Sequence, residues 1–254
     1  MRWLILAWKQ DPAAKGMFTE LEFCLDIDAE MVLIDENPLF LSQDNFAKDE
    51  RLIVLSKHAS SKGIPALTVH SPGNWTKENR LGGEKEKVSY CDPLLNSLIL
   101  RELDLHTSLA GIKNYYDVVF EATHHGPTLD VPVTFVEIGS TSKEWNDKRA
   151  QQVAARAVNA ALKKYAENKL EGYIGVGGPH YARIFTVYCT EKGYNIGHII
   201  PKYALEIGNF ERMILLAQER TLGCKGIIVE WKSLKKEQKT SLQKIAQDKI
   251  IKIK

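Results

Sequence analysis

No C-x-x-C pair, no membrane-length apolar run, no flexible linker, no internal repeat and no low-complexity tract occurs in this chain. Its four cysteines, Cys24, Cys91, Cys189 and Cys224, stand far apart. That scatter argues against a zinc ribbon and fits free thiols in a reducing compartment, with the cytoplasm as the expected location. The apolar opening from Met1 to Trp8 breaks at Lys9-Gln-Asp-Pro12, too soon for a signal-peptide core, and reads as a first buried strand. No attachment to a membrane is expected. The phosphate-binding patterns G-x-G-x-x-G and G-x-x-x-x-G-K-[ST] are missing, which counts against dinucleotide and nucleoside triphosphate enzymes. The G-x-S-x-G elbow of common serine hydrolases and the H-E-x-x-H zinc signature are missing too.

What is present is ordinary for a globular protein: 44% hydrophobic and 26% charged residues, enough over 254 residues for one large α/β domain. We read residues 1–254 as a single compact unit. Continuous apolar runs predict buried strands at Trp3 to Trp8, Met31 to Ile34, Leu52 to Leu55, Ala66 to Val69, Val118 to Phe120, Val133 to Ile138, Tyr173 to Val176 and Ile227 to Val229. Between them lie helix-period segments. The clearest stripe is Ala150, Val153, Ala154, Ala157, Val158, Ala161, Leu162 and Tyr165, with Thr141-Ser-Lys-Glu144 as its opening capping box. Further helices are expected from Pro93 to about Ile112 and through Met213, Leu216 and Ala217. Interleaved strands and helices predict an α/β class, a three-layer fold with a mainly parallel mixed sheet.

Net charge is only +2, but the segment from Lys232 onward holds eight lysines against Glu237 and Asp248. Lys232, Lys235, Lys236 and Lys239 are therefore candidates for an anion-binding face, against the plainer reading of a solvated helix.

The densest chemistry lies in Glu121-Ala-Thr-His124-His125-Gly126-Pro127-Thr128 and the strand Val133 to Gly139, which carries Glu137. Two imidazoles and two carboxylates then fall within one strand-loop-strand passage, where apolar strands emerge. On extended backbone His124 and His125 point to opposite sides, one into a pocket and one in support. His70, His180 and His198 also stand beside glycine, proline or a strand end. Each alone reads as a structural hydrogen bonder, and convergence is what would make a site. His70, His124 or His125, His180 and Glu137 could hold a metal, or a histidine could activate water without one. Gly177-Gly178 after a strand could let backbone approach a phosphate or ribose, since no Cβ intervenes.

These segments resemble the archaeal and plant type of D-aminoacyl-tRNA deacylase. The resemblance rests on His70-Ser-Pro-Gly-Asn74 with Leu81-Gly-Gly83, Thr123-His-His-Gly-Pro-Thr128, Val136-Glu-Ile-Gly-Ser-Thr141 with Glu144-Trp145, Gly177-Gly-Pro-His-Tyr-Ala182, and Gly197-His-Ile199. It implies a fold similar to peptidyl-tRNA hydrolase and phosphorylase-like α/β proteins. The activity it implies is hydrolysis of the ester of a tRNA charged with a D-amino acid, with bound zinc and a monomeric chain. Under that resemblance His124, His125 and His180 activate water or hold metal, with His70 as a further ligand, and Glu137 orients a histidine or holds the substrate's ammonium. Thr123, Thr128, Ser140 and Thr141 add hydrogen bonds, while Gly126, Gly139 and Gly178 supply rigid walls. The lysines grip tRNA phosphates. One departure is Arg183-Ile184, where the family usually has Pro-Lys, so Arg183 is the residue that would replace that lysine. Other readings of the same histidines are a peptidyl-tRNA hydrolase-like or metal-dependent peptidase activity; a non-catalytic tRNA-binding protein would use the lysines alone.

Overall fold

A computed structural model describes residues 1–245 and 249–253. Its strands are β1 (Arg2–Trp8), β2 (Glu30–Ile34), β3 (Glu50–Lys57), β4 (Ala66–His70), β5 (Gly73–Asn74), β6 (Lys87–Val88), β7 (Asp117–Phe120), β8 (Val133–Gly139), β9 (Gly172–Val176), β10 (Ile196–Ile200), β11 (Cys224–Glu230) and β12 (Lys249–Ile253). The helices are α1 (Pro12–Cys24), α2 (Pro93–Leu109), α3 (Ser142–Trp145), α4 (Lys148–Tyr165), α5 (Arg183–Thr190), α6 (Lys202–Ile207), α7 (Phe210–Arg220) and α8 (Lys236–Ile245). The mixed, mainly parallel α/β class expected from the apolar runs is what forms, but the strands divide between two main sheets. A six-stranded sheet has the order β2-β1-β3-β8-β4-β7, and a four-stranded parallel sheet the order β10-β9-β11-β12. None of the described helices is long and apolar enough to cross a membrane.

Alternation along the central strands decides which face of the large sheet is which. Ile53, Leu55, Leu67, Val69, Val136 and Ile138 are buried in the same cluster as residues of α1, α2 and α4, including the Ala154–Ala157–Ala161 stripe foreseen from spacing. Leu52, Val54, Val133 and Phe135 are buried on the other face with Leu41, Leu129 and Val131 from loops. The functional side chains lie on that loop-covered face. The small sheet is covered on one side by Phe185 and Cys189 of α5 together with α2, and on the other by Met213, Ile214 and Ala217 of α7 and Leu242 of α8.

One local expectation changes. Thr141 and Glu144 do make a capping box, but it closes the separate short helix α3; the long helix α4 is capped by Asp147, which accepts from Arg149 N. An acidic cap of this kind is worth about 1 kcal/mol. Asp11 caps α1 through Ala13 N and Ala14 N at 2.9 and 3.0 Å, and its second oxygen accepts from Lys57 N at 2.8 Å. One buried carboxylate thereby ties the start of a helix to the end of β3, one residue before His58.

Candidate active site

The pairing register puts the polar groups together. Ser56 and Thr68 both pair with Glu137, and His70 pairs with Phe135, so these side chains share one face across β3, β8 and β4. His58 is held at the end of β3: its N–H donates to Ile138 O at 2.9 Å, and its carbonyl accepts from Trp145 Nε1 at 2.8 Å. Glu121 immediately follows β7. Its Oε2 lies 2.8 Å from His180 Nε2 and 3.5 Å from His124 Nε2, while its Oε1 is 3.1 Å from His58 Nδ1. Glu137 Oε2 lies 3.6 Å from His58 Nδ1 and 3.8 Å from His70 Nε2. Two buried carboxylates thus face four imidazoles.

His124 and His125 do not diverge as extended neighbours would. His125 has a φ of 41°, in the left-handed region, and the two rings sit 4.3 Å apart between centroids. That backbone twist brings both rings to the same side. Each ring also has its outer nitrogen anchored, His124 Nδ1 on Ala122 O at 2.8 Å and His125 Nδ1 on Gly126 O at 2.7 Å. A carbonyl accepts only, so Nδ1 carries the proton in both rings and Nε2 offers its lone pair to the cluster. The ring of His70 lies 4.3 Å from that of His124 and 4.8 Å from that of His125. It is buried with neither nitrogen hydrogen-bonded.

Burial, reinforced by the neighbouring imidazoles, holds His124 well below the usual histidine pKa, and the same causes lower His125 to about 4. For Glu137 burial works toward protonation, but the attraction of the nearby His58 and His70 imidazoles outweighs it and keeps the group below the ordinary carboxylate range. Glu121 is lowered in the same way, burial being overcome chiefly by His180. His58 is raised: burial opposes the charge, and the neighbouring carboxylates of Glu137 and Glu121 prevail. The cluster therefore presents ionised carboxylates beside the neutral imidazoles of His124 and His125.

Among the described residues, three groups have the composition and spacing to hold a cation: His70–His124–His125, Glu121–His124–His180 and His58–Glu121–Glu137, with donor atoms within 4.8 Å of one another in each. His70 and His180 fall in different groups that share His124. His58 was not foreseen, although it follows a strand as His70 ends one; no glycine or proline marked it. Its Nε2 is 2.8 Å from the Tyr181 hydroxyl.

The remaining foreseen residues are placed as follows. Thr123 uses its hydroxyl inside the fold, accepting from Ile199 N at 3.2 Å and facing His198 Nδ1 at 3.0 Å. Thr128 Oγ1 accepts from Glu84 N, and Ser140 Oγ donates to Ile64 O at 2.6 Å. Exposed Thr141 is engaged in its capping box. A Cβ on Gly139 would meet His58 at 2.7 Å, and one on Gly126 would meet Gly83 N and Leu39 O at 2.3 Å. Gly177 packs on Ser233, and Gly178 N donates to Ser233 Oγ at 3.0 Å, which brings the segment bearing Lys232 against the loop that leads to His180. Lys232, Lys235 and Lys236 are exposed, whereas Lys239 lies over the Trp231 ring at 5.4 Å. Arg183 is paired with Asp117.

Two clefts open at this cluster. One, about 310 Å³, is lined by His58, His124, His125, Glu137 and His180 with Trp8, Lys57 and Leu81. The other, about 520 Å³, is lined by His124, His125 and Leu81 with Trp75, Asn79 and Tyr203. A larger cleft, about 680 Å³, is elsewhere, around Arg51, Tyr90 and Arg220, and contains none of the cluster. Chemistry, not size, marks the site.

A sequence profile described as D-aminoacyl-tRNA deacylase matches residues 46–254. D-aminoacyl-tRNA deacylase of Ignicoccus hospitalis is 36% identical over 250 residues, covering 98% of this chain and 97% of that one. The deacylase of Thermoplasma acidophilum is 34% identical and covers 96% of each chain; that of Methanocaldococcus jannaschii is 37% identical and covers 80% of this chain and 81% of its own. A crystal structure of a conserved protein of unknown function superimposes with a TM-score of 0.88 at 24% identity, over 99% of this chain and 95% of that chain, and so shares the fold. With the profile and near full-length relatives in agreement, the chain belongs to the D-aminoacyl-tRNA deacylase family.

Proposed function

We propose that this protein hydrolyses the ester joining a D-amino acid to the 3′ end of tRNA, releasing both, and that the buried histidine and carboxylate cluster carries the reaction. The observation that carries the proposal is buried Glu121 placed among His58, His124 and His180, of which His124 lines both clefts and His58 and His180 the smaller one. With Glu121 accepting a hydrogen bond from His180 Nε2–H, His180 Nδ1 is the basic nitrogen; it takes a proton from the attacking water and returns it to the departing ribose oxygen. His180 is 37% exposed, so water and substrate reach it. The position of Glu137 between His58 and His70 supports an orienting role for it.

The donor set fits a zinc ion. Three imidazoles converge, His124 and His125 are neutral as ligands must be, and His70 has two buried nitrogens without a hydrogen bond, which a cation would satisfy. His70, His124 and His125 would hold it, and zinc supplies Lewis acidity toward water and the ester carbonyl. The backbone carbonyls on His124 Nδ1 and His125 Nδ1 orient both rings for that task.

Selection of the D form is attributed to backbone walls that cannot yield. Loops 81–83 and 124–128 interlock through Gly126 N–H on Leu81 O at 3.0 Å, and Gly126 has no room for a methyl group. A side chain projecting the wrong way meets backbone and is rejected by clash. Single-turnover hydrolysis of matched D- and L-tyrosyl-tRNA, with chelator and with zinc restored, tests the reading. Release from the D form alone, lost with chelator and regained with zinc, is expected. Equal release from both forms removes the stereochemical claim, and no release from either removes the activity. Release that ignores the chelator removes zinc and leaves the Glu121–His180 pair to act alone.

A further inference from the structure

The two clefts share Leu81, His124 and His125 and differ in everything else that matters chemically. The smaller holds the cluster: His58, Glu137 and His180. The larger contains neither carboxylate of the cluster and is walled by two aromatic side chains, Trp75 and Tyr203, with the amide of Asn79. We propose that the clefts divide the substrate, the smaller taking the aminoacyl group and the larger taking the terminal adenosine of the tRNA, with its base stacked on Tyr203. This rests on the deacylase reading and names the portion of the tRNA that the site itself holds.

An ester has two sides, so a scissile carbonyl lying over His124 and His125 must direct its acyl group into one cleft and its ribose into the other. The acyl carbon has to meet His58, Glu137 and His180, which line the smaller cleft and not the larger. The ribose and base then pass over Leu81, an apolar residue 60% exposed whose carbonyl is fixed by Gly126 N–H at 3.0 Å. The larger cleft provides what an unpaired base needs, an aromatic face and amide groups for its edge. Trp75 is 5% exposed with its indole N–H committed to Ile199 O at 3.3 Å, so it forms the floor. Tyr203 is 48% exposed with its hydroxyl 3.5 Å from His180 Nδ1, so its ring is open to a base and adjoins the reacting end. Because every tRNA ends in the same adenosine, a pocket for it serves any tRNA regardless of anticodon.

The test compares Tyr203→Ala and Tyr203→Phe with the unaltered protein, by calorimetric binding of adenosine 5′-monophosphate and by steady-state hydrolysis of D-tyrosyl-tRNA and of D-tyrosine ethyl ester. Loss of one stacking platform, worth about 1–3 kcal/mol, weakens nucleotide binding roughly 5- to 150-fold. Tyr203→Ala is expected to lose nucleotide binding by that factor and to raise KM for D-tyrosyl-tRNA, with kcat reduced less. Tyr203→Phe keeps the ring and stays within about threefold of the unaltered protein. The loss in Tyr203→Ala should also be several-fold larger for D-tyrosyl-tRNA than for the ethyl ester, which has no base. The subsite is overturned if adenosine 5′-monophosphate binds both variants as tightly as the unaltered protein, or does not bind it. It is equally overturned if the Phe variant loses as much as the Ala variant, or if both esters lose equally, since Tyr203 would then act through its hydroxyl on His180. Nucleotide binding stands without turnover, so failure of the deacylase activity is read separately, in the unaltered protein on D-tyrosyl-tRNA.

Discussion

Substituting alanine at Gly126 should damage catalysis far more than its size suggests. The backbone there is not left-handed, so alanine escapes the penalty of that conformation and steric contact dominates the effect. A Cβ at this position would lie 2.3 Å from Gly83 N and Leu39 O and 2.5 Å from Gly82 C, all backbone atoms with no rotamer to change. Restoring an ordinary contact of 3.4 Å requires the 124–128 loop to move away from the 81–83 loop by 3.4 − 2.3 = 1.1 Å. Overpacking of this kind costs about 1–3 kcal/mol, which for a chain of this size lowers Tm by roughly 2–12 °C. The same shift carries His124 and His125 with it, and a displacement near 1 Å at a reacting group costs on the order of 100-fold in rate. Single-turnover deacylation of D-tyrosyl-tRNA alongside thermal unfolding measures both. Gly111→Ala is the control: its φ of 69° penalises alanine by about 1–2 kcal/mol, but no atom lies within 4 Å of the added methyl. It should lose stability and keep its rate. If Gly126→Ala keeps its rate within twofold while its Tm falls, the interlocked loops do not position the histidines.

Glu121→Gln preserves shape, removes the charge facing His58, His124 and His180, and should lower the single-turnover rate on D-tyrosyl-tRNA by roughly 100- to 10,000-fold, with the protein still folded by circular dichroism; a loss under fivefold would dismiss Glu121 from the reaction. His198 is fully buried, and burial lowers its pKa from 6.5 to about 4. The unfolded chain therefore binds the proton first on acidification, and the stability supplied by the neutral ring is complete above pH 6.5 and lost between pH 6.5 and 4, about 3 kcal/mol in all. His198→Gln should be less stable than the parent at pH 7, with the gap narrowing by about that amount at pH 4 in urea titrations; a constant gap would contradict it. Joint replacement of exposed Lys232, Lys235 and Lys236 by glutamine should flatten the slope of log affinity for tRNA against log salt by about 2–3 and leave the D-to-L preference intact. An unchanged slope between 50 and 200 mM salt, the range in which phosphate contacts weaken steeply, would assign those lysines to solubility.

The elements that could be read from the chain are those whose burial is uniform. The strand Val133 to Ile138 is apolar because both sheet faces are covered, and the α4 stripe shows because one side of that helix lies on the sheet. The small sheet was harder to see. β10 is Ile196-Gly-His-Ile-Ile, in which a glycine close to Thr221 and a buried histidine interrupt the apolar signal, and β12 is written in isoleucines and lysines that scan as a basic tail. Only pairing with β9 and β11 makes strands of them.

The site was legible as residue types and illegible as geometry, and β4 explains why. β4 runs antiparallel to β8 while β3 runs parallel to it, so the carboxyl ends of β3 and β4 point in opposite directions. Histidines at those two ends would ordinarily be separated by the length of the strands. They meet because Glu137 projects from the middle of β8 onto the shared face and Glu121, just past β7, reaches back along it. The proposed reaction centre thus lies across the face of the sheet beneath loops, instead of at the strand tips where an α/β protein usually keeps it. Local patterns can flag a histidine beside a glycine. Whether it finds a carboxylate depends on register and strand direction, and those are set by contacts between segments far apart in the chain.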